Sequence, residues 1–407
     1  MLHATLLACS IVSATWTVDD DGPADFSEIS EAIAGAANGD VLLVEPGQYA
    51  KFNLGKNLTI VGRVGAPRPD VAGPVLIDSV TGFTISRLRM RSVQATGVDG
   101  PGRFDDCRFS ASGGSAQAHG LQVVSSKQVL VSRSIVAGEE PASGNGGTAL
   151  WAVGGTVTLV DTNVRGGDGA VGRGLGPKDG GDAILALFAG RVVAVSGNIR
   201  GGDAGGDPTP GACNFGAAGD GVRALGSSFV DLRGVADDVV LPGSPGSFLC
   251  SGTAGVSGIA EGGSTIVFSG VTHGGFTSGL GTNHIVAANP PEPFLLMTGQ
   301  NAPGTNGVLR LFGPAGQLAL IFGAIDAPLT DVPGVAGALW LDPAQAFFVG
   351  VLLTAGTDRP ANCPYVVPGI PALSGASARF QCVLPQQDDP ILPGAASTNA
   401  VDVIVRF

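Results

Sequence analysis

Six aspartates in the middle of the chain stand where carboxylates from separate segments could meet. Asp168, Asp179 and Asp182 fall in one glycine-rich stretch, "RGGDGAVGRGLGPKDGGDA" from Arg165, and Asp203, Asp207 and Asp220 fall in the next. Hard oxygen ligands of this kind suit Ca²⁺, which accepts six to eight of them in flexible geometry. Asp168, Asp182, Asp203 and Asp220 are the set expected to hold calcium if stacked turns bring the two loops together. The competing expectation is plainer: Asp and Gly are ordinary turn residues on a soluble acidic rim. The spacing matches neither the EF-hand loop nor the nonapeptide calcium repeat. No other cofactor is indicated. With four histidines and no Cys/His pair at ligand spacing, a zinc site is not expected.

The first of these loops opens on "DTNVRGGDG" at Asp161, and "SGNIRGGDA" at Ser196 aligns with it residue for residue without a gap. A fixed offset with strands between turns marks a solenoid, whose coils bury their faces only by stacking. Asn163 and Asn198 then occupy one position on successive coils. There an asparagine can hydrogen-bond up the stack and tolerate a left-handed backbone.

Composition agrees with a coil of short strands. Hydrophobic residues make up 44% of 407 positions but aromatics only 6%, and 66 glycines separate runs such as "ILALF" and "VVAV". That is an ordered, β-rich chain, not a disordered one. The formal charge of −12 opposes binding to phosphate backbones, so nucleic acid is not expected as a partner.

The opening "MLHATLLACSIVSATWT" has a short apolar stretch and the small residues Ser13 and Ala14, so residues 1–14 read as a signal peptide and the protein as secreted or cell-surface. The first basic residue is Lys51, which is unusual for such a signal. No later stretch is long and apolar enough for a transmembrane segment. In an exported chain, proximity pairs Cys213 with Cys250 and Cys363 with Cys382 as disulfides, and leaves Cys107 as a small buried residue.

The spacing predicts a helix over 25–37, with Asp25 as its cap and Glu28 closing a capping box. Phe26, Ile29, Ile33 and Ala36 share one face, placed to cover the end of a solenoid. Strands follow in "DVLLVEPGQY" and "KNLTIVG", and short strands then recur to about residue 286. Pro290, Pro291 and Pro293 make a stiff linker over 287–294. Paired hydrophobic strands in 295–407 read as a C-terminal β-sandwich.

The stretch "DFSEISEAIAGAANGDVLLVEPGQYAKFNLGKNLTIVG" resembles the N-terminal cap and first coil of right-handed parallel β-helix proteins of the pectin-lyase-like class. Phe26, Ile29, Ala32, Ile33, Gly39, Asp40, Pro46, Gly47 and Tyr49 carry the resemblance. The tail, with "LWLDP" and "STNAVDVIV", is similar to terminal β-modules on secreted proteins of environmental bacteria. The fold so implied is all-β: a right-handed parallel β-helix over 15–286 with a capping helix, followed by a small β-sandwich.

That class includes lyases, hydrolases, esterases and adhesins, so the resemblance leaves chemistry open. A hydrolase needs two carboxylates across one groove, and a lyase needs a cation and a base. Asp161, Arg133, Lys127, Arg191, Arg223 and Asp231 are candidates on the coils. Asp105 and Asp106 read as turn residues, and His119 has no carboxylate near it in sequence. Trp151 can stack on a sugar ring, but "TALWAV" suits a core position better. The set of Asn-Thr-Asp, Asp-Asp and Gly-His-Gly groups of the polygalacturonases is absent. The expectation is a non-catalytic surface for extracellular polysaccharide or cell-surface proteins; a polysaccharide lyase or glycoside hydrolase, with or without calcium, is the alternative.

Overall fold

The computed structural model describes residues 14–111, 119–172, 176–207, 214–234, 238–245 and 253–269. Beyond these it describes 271–274, 276–278, 284–287, 294–299, 305–312, 316–324, 335–336, 347–354, 360–366, 377–386, 394–397 and 401–404. Residues 1–13 of the proposed signal peptide, Cys213 and Cys250 lie outside the described residues, as does most of the Pro-rich linker.

The chain is a right-handed parallel β-helix, built as three long parallel sheets that each coil visits in turn. Sheet 1 has eleven strands, from Thr15–Val18 to His284–Ala287. Sheet 2 runs from Gln48–Tyr49 to Thr272–His273 and sheet 3 from Asn53–Leu54 to Phe276–Ser278, with nine strands each. Short Val- and Ile-rich strands suit this architecture because inward residues stack in register. One such row of sheet 1 reads Leu42, Ile60, Ile85, Phe104, Val131, Leu159, Ala194, Leu232 and Phe268. All are buried in one continuous cluster. Each apolar side chain so buried contributes roughly 1.5–3 kcal/mol relative to exposure.

Sharp turns join the sheets, and they too stack. After sheet 1, Arg87, Asp106, Arg133, Asp161 and Ser196 all have φ between 48° and 59°. Left-handed backbone costs a non-glycine residue about 1–2 kcal/mol, and here each turn hydrogen-bonds the coil above. Asp106 N–H donates to the Ser132 carbonyl and Arg133 N–H to the Val160 carbonyl. Asn163 and Asn198 do not occupy this position, since neither has a positive φ. Asn163 instead begins a sheet 2 strand, and its Oδ1 accepts the Asn198 N–H at 3.0 Å.

The helix is shorter than expected, Ile29–Gly35, and the capping box is not formed: Glu28 is the N-cap residue but makes no side-chain cap bond. Tertiary partners have taken both acids. Asp25 accepts the Thr17 N–H and hydroxyl at 2.8 Å each, and Glu28 accepts the Ala50 N–H at 3.2 Å. The C-terminal end of the helix is closed by Lys56, whose ammonium donates to the carbonyls of Ile33, Ala34 and Ala36. Buried Asp40 ties the cap to the first coil by accepting from Trp16 Nε1, Ala14 N–H and Ala37 N–H.

Beyond the β-helix the strands Phe294–Gly299, Asn306–Phe312 and Ala361–Val366 form an antiparallel sheet, and a six-stranded sheet follows with Leu318–Ala324 in its interior. This tail folds back on sheet 1. Leu130 and Val160, on the outer face of sheet 1, share a buried cluster with Leu295, Leu309, Leu311, Ile321 and Leu384, and Val195 packs on Phe312. Cys363 and Cys382 belong to the same apolar cluster but carry thiols, so the expected bridge is not formed. Cys107 is buried, and burial pushes its thiol up to about 12.

Candidate functional site

The glycine-rich loops leave the helix between sheets 2 and 3 as a flat fin. Each coil contributes an outgoing leg and a returning leg, and the legs interleave. Gly167 N–H donates to the Gly147 carbonyl, Gly181 to Gly167, Gly202 to Gly181, Gly219 to Gly202 and Gly243 to Gly219, at 2.8–2.9 Å. These bonds run between the two rows of legs. Others run within a row: Gly166 N–H to the Arg200 carbonyl on the outgoing side, and Gly180 N–H to the Ala217 carbonyl on the returning side. A backbone bonded in two directions at once must approach its neighbours too closely for side chains. A Cβ placed on Gly146, Gly166, Gly167, Gly202 or Gly243 would lie inside van der Waals contact with a backbone carbonyl. The paired glycines of "RGGD" are therefore there for close approach.

The recurring aspartates serve the same stack. Asp168 Oδ1 accepts the Asp203 N–H at 2.8 Å, and Asp203 Oδ1 accepts the Ser244 N–H at 2.6 Å. On the returning legs, Asp182 Oδ1 accepts the Asp220 N–H and Asp220 Oδ1 accepts the Val256 N–H, both at 2.9 Å. Asn145, Asp179 and Ala217 make a third ladder of the same kind. Charge-assisted bonds to backbone N–H groups are roughly twice as strong as neutral ones. Arg165 and Arg200 neutralise Asp168 and Asp203 from three residues away. The four aspartates expected to share calcium thus form two separate ladders. Among the described residues, the acidic group whose oxygens do converge is Asp19, Asp20 and Asp21 in the loop before the helix.

Stacking carboxylates inside the fin has an electrostatic consequence at Asp182. Burial, helped by the Asp220 charge, raises its pKa to about 6, against the opposing Asp220 N–H bond and the Arg223 charge. A carboxyl raised above its unfolded value of about 3.9 binds its proton more tightly when folded. It therefore costs no stability below about pH 4, and the cost grows as pH rises through 6. Asp182→Asn retains the Oδ1 acceptor, so it is expected to stabilise the protein by about 2 kcal/mol at pH 8 and not at all near pH 3.5. Melting curves of both proteins at the two pH values check this; an equal shift at both would show that ionisation is not the cause.

A second polar group lies on the outer face of sheet 1. Arg103, Asp105, Ser132, Thr158 and Asp231 all point outward there, yet all are buried, beside the apolar contacts of the tail. Asp105 Oδ1 accepts from Ser132 Oγ at 2.9 Å and Arg133 Nε at 3.0 Å. Asp231 Oδ2 accepts from Arg233 Nε at 2.9 Å, while its Oδ1 and the Thr158 hydroxyl have no hydrogen-bond partner among the described residues. Sequence reasoning flagged Arg133 and Asp231 singly but missed Arg103 and Arg233. Only the alternation of outward residues along each strand pointed to them, and their neighbours come from other coils.

The remaining candidates are scattered. Asp161 is a turn residue whose carboxyl is pushed up by burial, with Arg133 opposing. Asp106 pairs with Arg68 and Arg87. Lys127 pairs with Asp99 at 3.2 Å on the surface. Arg191 stacks on Phe229, 5.4 Å from its ring centre. Arg223 stands on sheet 3, in register with Leu185 and Ile259. The Trp151 ring meets the His119 ring edge-on at 4.2 Å, and Trp151 faces outward on sheet 3 in line with Gln122 and Leu185.

No family model matches the chain, and no curated protein matches it. Among solved structures, pectate lyase Pel9A is similar over 68% of this chain and 76% of its own, at 14% identity and a TM-score of 0.38.

Proposed function

We propose that the chain is an exported, non-catalytic scaffold that holds extracellular polysaccharide or cell-surface partners on the free outer faces of its coils. One observation supports this above the others: the recurring acidic side chains, which invite a cation or an acid–base pair, are engaged in coil-to-coil hydrogen bonds. The charged group on sheet 1 fits the same reading, because its members are buried beside the apolar contacts of the tail. The apolar cluster common to both C-terminal sheets supports reading the tail as a β-sandwich module.

The test is to incubate the full chain with pectic, alginate and neutral polysaccharides, with calcium and with chelator. New reducing ends, unsaturated products and co-sedimentation with insoluble polymer are all scored. Retention of a polymer without cleavage, unchanged by chelator, is the expected result. Calcium-dependent cleavage of any polymer would overturn the proposal in favour of a lyase or hydrolase.

A further inference from the structure

The last strand of the six-stranded C-terminal sheet, Phe347–Leu353, is an edge strand among the described residues. It pairs with Leu318–Ala324 on one side, and no described strand pairs with the other. Proteins ordinarily blunt such edges with lysine, proline or brevity. This one runs seven residues, "FFVGVLL", with no charge and no proline. Its side chains are also exposed: Phe348 is 58% accessible, Leu353 63%, and Val349 and Val351 are exposed as well. The register shift opposite Ile321 and Phe322 explains why the adjacent residues Phe348 and Val349 both face solvent. Leu318, paired with Leu353, extends the apolar surface onto the neighbouring strand.

We propose that this edge docks a second copy of the chain, strand against strand, antiparallel about a two-fold axis through Gly350. The strand itself argues for a copy over an unrelated partner, because it reads almost the same in both directions from Gly350. Two-fold pairing sets Val349 against Val351 of the other copy, and Val351 against its Val349, so the two solvent-facing valines of each strand meet apolar mates on one face. An isologous contact needs that self-complementarity. The exposed surface of these side chains and their neighbours comes to on the order of 600 Å² per copy, the lower end of a specific interface. The central glycine lets the two backbones approach at the axis.

Light scattering of the size-separated full chain, up to about 100 µM to cover a micromolar equilibrium, tests the pairing. The wild type is expected at the mass of two chains. Val349→Lys and Val351→Lys are each expected at one chain, with unchanged far-ultraviolet circular dichroism. The double substitution Val349→Lys with Val351→Glu places opposite charges across the axis and is expected to restore the two-chain mass. A wild type that stays at one chain throughout overturns the proposal, as do single variants that stay at two. A double variant that remains at one chain when the wild type is at two overturns the two-fold register.

Discussion

Gly167→Ala is expected to destabilise the protein by about 4 kcal/mol or more, among the largest effects open to one methyl group. The added carbon would lie against the Glu139 carbonyl and close to Gly147 N, and both neighbours are backbone held by their own hydrogen bonds. A flexible side chain could swing away, but interleaved legs can yield only by breaking the Gly147–Gly167–Gly181 series. Gly176→Ala, at a glycine with nothing within 4 Å of the added carbon, is the internal control and is expected within about 0.5 kcal/mol of wild type. Thermal melts of the three proteins, read by circular dichroism, decide the matter. Equal melting temperatures for both variants would mean that the fin is loosely packed and its glycines serve only as turns.

The second large effect is expected at Asp105, which is fully buried between Ser132 and Arg133. Asp105→Ala removes the buried carboxylate that pairs with the largely covered Arg133 guanidinium, and breaking a buried pair from one side costs roughly 3–5 kcal/mol. Arg133→Met alone should cost a similar amount. The double variant removes both charges, so its loss should fall well short of the sum of the two single losses. A double-mutant cycle on melting free energies measures the coupling. Additive losses would show that the two side chains act independently and that the pair does not organise the seam beneath the tail.

Much of the fold was legible because it rests on local pattern. Phe26, Ile29 and Ile33 announced the cap helix, and the change to short aliphatic runs after Gly39 announced the first coils. The alignment of Asn163 with Asn198 gave the repeat, and these residues do meet across one coil step. What was not legible depended on partners from other coils. Asp25 and Glu28 have helix-capping spacing, but Thr17 and Ala50 hold them instead. The aspartates of the glycine loops look like ligands in a linear reading, because nothing in the sequence says which N–H lies above each carboxylate. The buried group on sheet 1 was equally hidden: Arg103 and Asp105 share one strand, but Arg133 and Asp231 come from two other coils, and only strand register assembles them. The thiols of Cys363 and Cys382 stand in one cluster, yet closeness in sequence and space did not make them a bridge.

The fin separates the width of the molecule from its height. One coil step takes the chain from Val41 to Thr59, and a later step of the same sheet takes it from Thr158 to Val193, yet both strands pair in unbroken parallel register. The extra residues of the later coil go sideways, where they bond to the legs above and below. A gene encoding such a protein can therefore gain or lose glycine-rich segments between sheets 2 and 3 without shifting the frame of the core. Successive coils need only change together, because a leg longer than its neighbours would end in unbonded backbone. Duplication of whole coils is the genetic event that satisfies this condition at once, and "DTNVRGGDG" followed by "SGNIRGGDA" is the trace such an event would leave.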